Sequence, residues 1–139
     1  MCDYSAGGVW SRDGGALGPE HLPISSRLVA RIDAWQAVYE RFPAFPGDRP
    51  LDGIVPDLAA FAAEGLQIAI ELKRELPEWT VIYHDESRCE AMDDLPVLTG
   101  GYSQEVVEKL RPWFEYEITD AILSSGQPPA TTPDQFLNT

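Results

Sequence analysis

Cysteine is scarce in this sequence, with only Cys2 at the extreme terminus and Cys89 further along. No CxxC spacing occurs, which argues against a disulfide framework and against a structural zinc site. Long apolar runs are also absent, since nothing approaches the roughly 18 residues that a membrane span requires. The N-terminal MCDYSAGG has neither the basic nor the apolar segment of a secretory signal. These absences predict a cytoplasmic protein with reduced thiols, no metal and no cofactor.

Basic residues are the other shortage, because 10 Lys and Arg face 23 Asp and Glu, for a net charge of −13. Most of the deficit lies in residues 75–139, which hold 13 acids and 3 bases, against 10 acids and 7 bases in residues 1–74. A field of this sign repels nucleic acid and anionic membranes, and it speeds encounter with a basic partner. The charge therefore predicts that neither nucleic acid nor a membrane is a partner.

Two amphipathic helices are the clearest elements of the sequence. Ser25-Ser26 predicts an N-cap, and the helix that follows keeps an apolar 3.6-residue period and ends before Pro43. A second helix is predicted from about Asp57 to Leu76, with Gly65 on its apolar face, where a missing side chain lets another element approach closely. Residues 43–56 contain four prolines and two glycines and therefore predict a loop.

Short strands complete the prediction. Val9-Trp10 precedes a turn signal, and residues 79–83 (WTVIY) are β-branched and aromatic, with apolar groups on both faces, which favours a central strand. Residues 113–118 alternate, with Phe114, Tyr116 and Ile118 inward and Glu115 and Glu117 outward, as in a strand with one wet face.

The stretches around these strands are predicted to be less regular. Residues 85–101 are acidic and read as an irregular segment, and a short helix follows that is capped by Ser103 and ends before Pro112. A helical turn is predicted at 120–124. The sum is an α+β fold, a single domain over residues 1–124 in which two long helices pack on a small mixed sheet. Residues 125–139 form a Pro/Ser/Thr-rich tail, predicted to be weakly ordered.

The stretch WTVIYHDESRCE at 79–90 collects side chains that resemble an active site. His84 has carboxylates beside it, but neighbouring residues on a strand point to opposite faces, which makes pairing awkward. The spacing H-x-E lacks the downstream P-C-x-x-C that deaminase chemistry needs. Cys89 lies among acids, which disfavour the thiolate that a nucleophile requires. We therefore predict no catalytic residue and no metal ligand, with a small hydrolase-like enzyme using His84 and a neighbouring carboxylate as the alternative.

The acidic surface itself is the remaining candidate for a site. Acids crowd the segment after residue 84, and the wet face of the last strand adds two more, with aromatic side chains nearby to serve as anchors. The plain alternative is a solvated loop that only keeps the protein soluble. The predicted partner-binding residues are Asp85, Glu86, Glu90, Asp93, Asp94, Tyr102, Trp113, Glu115 and Glu117.

Three stretches carry a resemblance to a known group: a helix opening after LPIS, the run ELPEWTVIYHDE, and the closing FEYEI. Together they resemble small acidic bacterial immunity proteins of polymorphic or contact-dependent toxin systems, over about half of the chain and without a diagnostic motif. The resemblance implies a protein that neutralises a cognate toxin in the cytoplasm, often by covering its active site. Immunity families share no catalytic residues, so it assigns none here.

The leading hypothesis is therefore a non-enzymatic immunity protein whose acidic surface docks into the basic cleft of a toxin. Charge reversal at Asp85, Glu86, Asp93 and Asp94 is the test that follows from the sequence. An acidic adaptor that binds some other basic protein is the further alternative.

Overall fold

The computed structural model describes residues 9–10, 16–41, 57–91 and 104–137. Within these ranges the architecture is α+β, as predicted, with two long helices and two separate two-stranded antiparallel ladders in place of one mixed sheet. In chain order the elements are β1 (Val9–Trp10), β2 (Ala16–Leu17), a 3-10 helix (Pro19–His21), α1 (Ser26–Tyr39), α2 (Leu58–Glu75), β3 (Ile82–His84), α3 (Glu86–Ala91), α4 (Gln104–Phe114), β4 (Glu115–Glu117), α5 (Asp120–Ser125) and α6 (Asp134–Leu137).

The first long helix begins at the cap that the sequence predicts, and the second is capped by Asp57, where its start was predicted. Ser25 Oγ accepts from the backbone N–H of Leu28 at 3.2 Å, and Asp57 Oδ1 accepts from Ala59 N at 2.9 Å. Each bond satisfies a donor that the first turn of a helix leaves without an intrahelical partner. The apolar stripes of α1 and α2 then face each other and form the main core with the β3–β4 ladder and α5. Its buried members are Leu28, Ile32, Trp35, Phe61, Leu66, Ile68, Ala69, Ile70, Tyr83, Tyr116, Ile118 and Ile122.

Gly65 is a point of close approach between α2 and its neighbours. A Cβ at this position would lie 2.5 Å from Tyr83 Oη and 2.6 Å from Trp35 Cζ2. The glycine therefore lets β3 and α1 reach the helix, which confirms the close approach expected there. It also allows the Tyr83 hydroxyl to donate to the carbonyl of Ala62 at 2.8 Å.

The β3–β4 ladder pairs Ile82 with Glu117, Tyr83 with Tyr116 and His84 with Glu115. The prediction of a central strand over 79–83 was wrong, because the strand is only three residues long and has one partner strand among the described residues. Trp79 instead sits in the turn after α2, where its N–H donates to the Leu76 carbonyl at 3.0 Å.

Two helices differ from the sequence prediction. Residues 86–91 form α3, where an irregular segment was expected, while residues 92–103 lie outside the described part of the chain. Helix α4 does not stop before Pro112 but continues to Phe114. Trp113 and Phe114 are both buried, and this packing outweighs the proline penalty in the last turn.

A second, smaller core joins α4 to the end of the chain. Leu110, Trp113 and Phe114 are buried there, and Phe136 and Leu137 of α6 pack against them. Thr131, Phe136 and Leu137, which belong to the segment predicted to be a weakly ordered tail, thus contact α4. The domain boundary at residue 124 stays a prediction. Helix α5 confirms the helical turn expected at 120–124.

Candidate partner-binding surface

Asp85, the first acid of the predicted surface, lies inside the protein with 5% of its surface exposed. Its Oδ1 accepts from the backbone N–H groups of Ser87 and Arg88 at 3.1 and 3.2 Å, so the carboxylate caps α3. Its Oδ2 accepts from the Tyr116 hydroxyl at 3.0 Å. Because these contacts occupy both oxygens, Asp85 has no carboxylate to offer a partner, and placing it on the surface was wrong.

Arg88 forms an ion pair with this buried carboxylate and also donates hydrogen bonds to the backbone of later residues. Its Nε lies 3.7 Å from Asp85 Oδ2, and its terminal nitrogens donate to the carbonyls of Trp113 at 2.9 Å and Pro129 at 2.6 Å. The guanidinium also stacks 5.5 Å from the ring centroid of Trp113. Trp113 is buried with 7% exposed, so it too is a core residue rather than the surface anchor that was predicted.

The outward face of the β3–β4 ladder carries Ile82, His84, Glu115 and Glu117, since alternate residues of paired strands share a face. We call these four residues the ladder face. Glu117 is exposed and forms no ion pair with any described residue. Glu115 is half-buried and accepts at 2.9 Å from His84 Nδ1, which must donate because a carboxylate only accepts. The structure thus brings together the two glutamates that the alternation pattern predicted.

Glu86 and Glu90 extend the acidic surface along α3. Glu90 is exposed, while Glu86 is half-buried and lies 3.8 Å from His84 Nε2. Burial raises the pKa of the Glu86 carboxyl, and the nearby His84 imidazole opposes that shift. Of the remaining predicted site residues, Asp93, Asp94 and Tyr102 lie outside the described part of the chain.

Two large apolar side chains that the sequence pattern assigned to the core, Trp79 and Ile82, are exposed at the start of this ladder. Ile82 is 57% exposed and Trp79 is 44% exposed. Glu78, next to Trp79, is an exposed carboxylate. No sequence signal distinguishes these two residues from core residues, because a β-branched or aromatic side chain in a short strand is usually buried.

The geometry around His84 bears on the catalytic alternative. Pairing of His84 with a carboxylate next to it in sequence was expected to be awkward. The structure supplies a partner from the adjacent strand instead, namely Glu115. Both ring nitrogens then face carboxylates, Glu115 on one side and Glu86 on the other. This arrangement orients the ring but leaves neither nitrogen directed at a nucleophile.

Among the described residues, no group of three or more His, Cys, Asp or Glu side chains is arranged to hold a metal ion. No helix in the ranges that the structure describes is long and apolar enough to cross a membrane.

The fold and the surface define a class: a small α+β protein that carries exposed acidic and apolar side chains on and beside the β3–β4 ladder. The sequence model of the Serratia CdiI immunity protein-like family matches residues 1–86, which is more than half of the chain. The chain therefore belongs to this family of contact-dependent inhibition immunity proteins, which confirms the predicted resemblance. The match includes α1, α2 and β3. No curated protein and no solved structure matches the chain.

Proposed function

We propose that this immunity protein acts in the cytoplasm by binding a cognate toxin that has a basic cleft and by covering its active site. The bound surface is acidic and consists of the ladder face together with Glu90 of α3. Neutralisation follows from occlusion of the toxin and requires no catalysis by the immunity protein.

The observation that carries this proposal is the set of carboxylates that internal contacts leave available. Glu90 and Glu117 are exposed, and neither forms an ion pair with a residue in the described ranges. Other acids of the same region do have internal partners, as Glu108 does with Arg111 at 2.8 Å. Carboxylates with no internal cation keep their full attraction for a basic cleft. This supports the ladder face and α3 over the exposed side of α4.

The function is tested by producing a candidate toxin domain, chosen from the genes next to this one, in a sensitive host with and without this protein. We expect growth arrest with the toxin alone and normal growth with both. The purified pair is expected to form a 1:1 complex in which the toxin no longer processes its substrate. Folded protein that gives no protection would overturn the function, and a complex that still processes substrate would overturn occlusion.

The surface is tested by the double charge reversal Glu90→Lys with Glu117→Lys. It is expected to weaken toxin binding at least about tenfold, because it places repulsive charges against a basic cleft. The matched control reverses Asp33 of α1 and Glu40 just after it, two exposed acids. An equal loss in the control would mean that net charge, rather than this surface, governs binding. Asp85 is unsuitable for such a test, because reversing a buried carboxylate disrupts the fold.

The catalytic alternative has its own test in the same assay. His84→Gln keeps a side chain that can donate to Glu115 but cannot act as a general base. We expect this variant to fold and to protect the host, with at most a small loss of toxin affinity, because His84 lies on the ladder face but leaves its carboxylates in place. Loss of protection in a folded variant that still binds the toxin would favour the enzyme.

A further inference from the structure

We propose that Trp79 and Ile82 form the apolar centre of the toxin-binding surface, and that their occupant is a basic protein surface with an apolar pocket. This inference rests on the proposed function and deepens it. The first supporting observation is the solvent exposure of the two side chains. Three large apolar side chains in the described ranges are exposed, and two of them, Trp79 and Ile82, lie three positions apart. Three residues of chain span at most about 11 Å, so one interface of ordinary size is wide enough to reach both.

The backbone under these two side chains is held by defined contacts. Lys73 Nζ donates to the carbonyls of Pro77, at 3.1 Å, and Trp79. The Trp79 N–H in turn donates to Leu76. Ile82 is paired with Glu117, and the bond from Ile118 N to Val81 O at 2.9 Å continues the pairing. Side chains on a backbone held in this way lose little further freedom on binding, which favours affinity.

The charges around the pair determine the kind of partner. Glu78 precedes Trp79 and Glu117 opposes Ile82, and both carboxylates are exposed. Lys73 lies beside Trp79, but its ammonium is directed inward at two carbonyls of the turn. The rim is therefore negative, and the centre is apolar.

This combination separates the candidate occupants. A second copy of the chain would bring the same carboxylates against each other, which like-charge repulsion disfavours. Nucleic acid carries the wrong sign. A basic protein surface satisfies the rim, and a pocket on it accepts the indole and the isoleucine side chain, in the way that a tryptophan anchor is commonly bound at the centre of an interface.

The test measures toxin affinity for Trp79→Ala and Ile82→Thr, with stability checked by denaturant unfolding. Both side chains are exposed, and threonine retains the strand preference of isoleucine, so the fold is expected to persist. Each substitution is expected to weaken binding by about thirtyfold, mainly through faster dissociation. The matched control is Val38→Ala, at an exposed aliphatic residue of α1, for which unchanged affinity is expected.

The outcomes separate the two proposals. Wild-type protein that neither binds nor protects against the toxin overturns the proposed function itself. Wild-type binding and protection with unchanged affinity in both Trp79→Ala and Ile82→Thr overturns only the apolar centre. Sedimentation that shows a dimer of the wild type, lost in Ile82→Thr, would identify a second copy as the occupant and overturn the basic partner at this patch.

Discussion

Tyr116 shows how one buried side chain links the ladder to α3. Its hydroxyl donates to Asp85 Oδ2 at 3.0 Å, and its ring packs edge-on against Tyr83 in the main core. Burial raises the pKa of the Tyr116 phenol well above its usual value of 10.0, and the Asp85 carboxylate raises it further, because a phenolate beside a carboxylate is repelled.

This contact predicts how stability responds to alkali. At pH values above 10 the unfolded chain loses the Tyr116 proton while the folded chain keeps it, so the folded state binds more protons. The free energy of unfolding therefore falls as the pH rises above 10. At pH 8 we expect Tyr116→Phe to lower it by about 1.5–3 kcal/mol through the lost hydrogen bond to a carboxylate. The difference between the two proteins should narrow above pH 10 in urea titrations, and a constant difference up to pH 12 would contradict the pKa shift.

Single residues also show what the sequence can and cannot predict. Ser25, Asp57 and Gly65 follow from local signals, because a cap or a close approach depends on residue type and helix position. Asp85 and Trp113 were placed on the surface wrongly. Their burial depends on Tyr116 and Arg88, partners about 25 to 31 positions away in sequence, and no local pattern encodes those contacts.

At the scale of elements, the helices were predicted better than the strands. The 3.6-residue period of α1 and α2 extends over many residues, so it fixes both their positions and their buried faces. The strand pattern of 79–83 was too short to show how many partners it has. The structure gives β3 one neighbouring strand within the described ranges, and this leaves Ile82 in solvent, where a central strand would have buried it.

Arg88 of α3 donates to Trp113 of α4 and to Pro129. These contacts predict that Arg88 restrains the backbone of residues 126–137. Arg88→Met leaves the Asp85 carboxylate without its cation, for which we expect a loss of about 3 kcal/mol in the free energy of unfolding. It also removes the donors to Trp113 and Pro129. Amide exchange in 126–137 is therefore expected to accelerate more than exchange in α2.

Arg88→Lys is the matched control for this contact. A lysine supplies the charge but not the planar fork that reaches two carbonyls at once, so part of the stability should return while residues 126–137 still exchange fast. If these residues exchange at the unfolded rate in the wild type, the tail is weakly ordered, as its composition predicted, and the contact with Pro129 does not hold it.

At the scale of the whole molecule, the net charge of −13 and the resemblance were enough to predict the class, and the family match confirms it. They were not enough to locate the binding surface. Charge counts every carboxylate equally, but the structure separates a buried cap such as Asp85 from an exposed acid such as Glu117. It also reveals exposed apolar groups, which composition alone does not.

The two kinds of group on the proposed surface predict different kinetic effects. Charge mainly accelerates encounter, so the association rate with the toxin is expected to fall at least about tenfold between about 50 and 500 mM salt, with little change in dissociation. Glu90→Lys with Glu117→Lys should flatten this salt dependence. Ile82→Thr should preserve this salt dependence and accelerate dissociation, since an apolar anchor acts after encounter.

Stopped-flow mixing at a series of salt concentrations measures both the association and the dissociation rate. An association rate that does not respond to salt would rule out electrostatic docking, whereas equal effects of both variants on dissociation would show that the carboxylates and the apolar centre act as one contact.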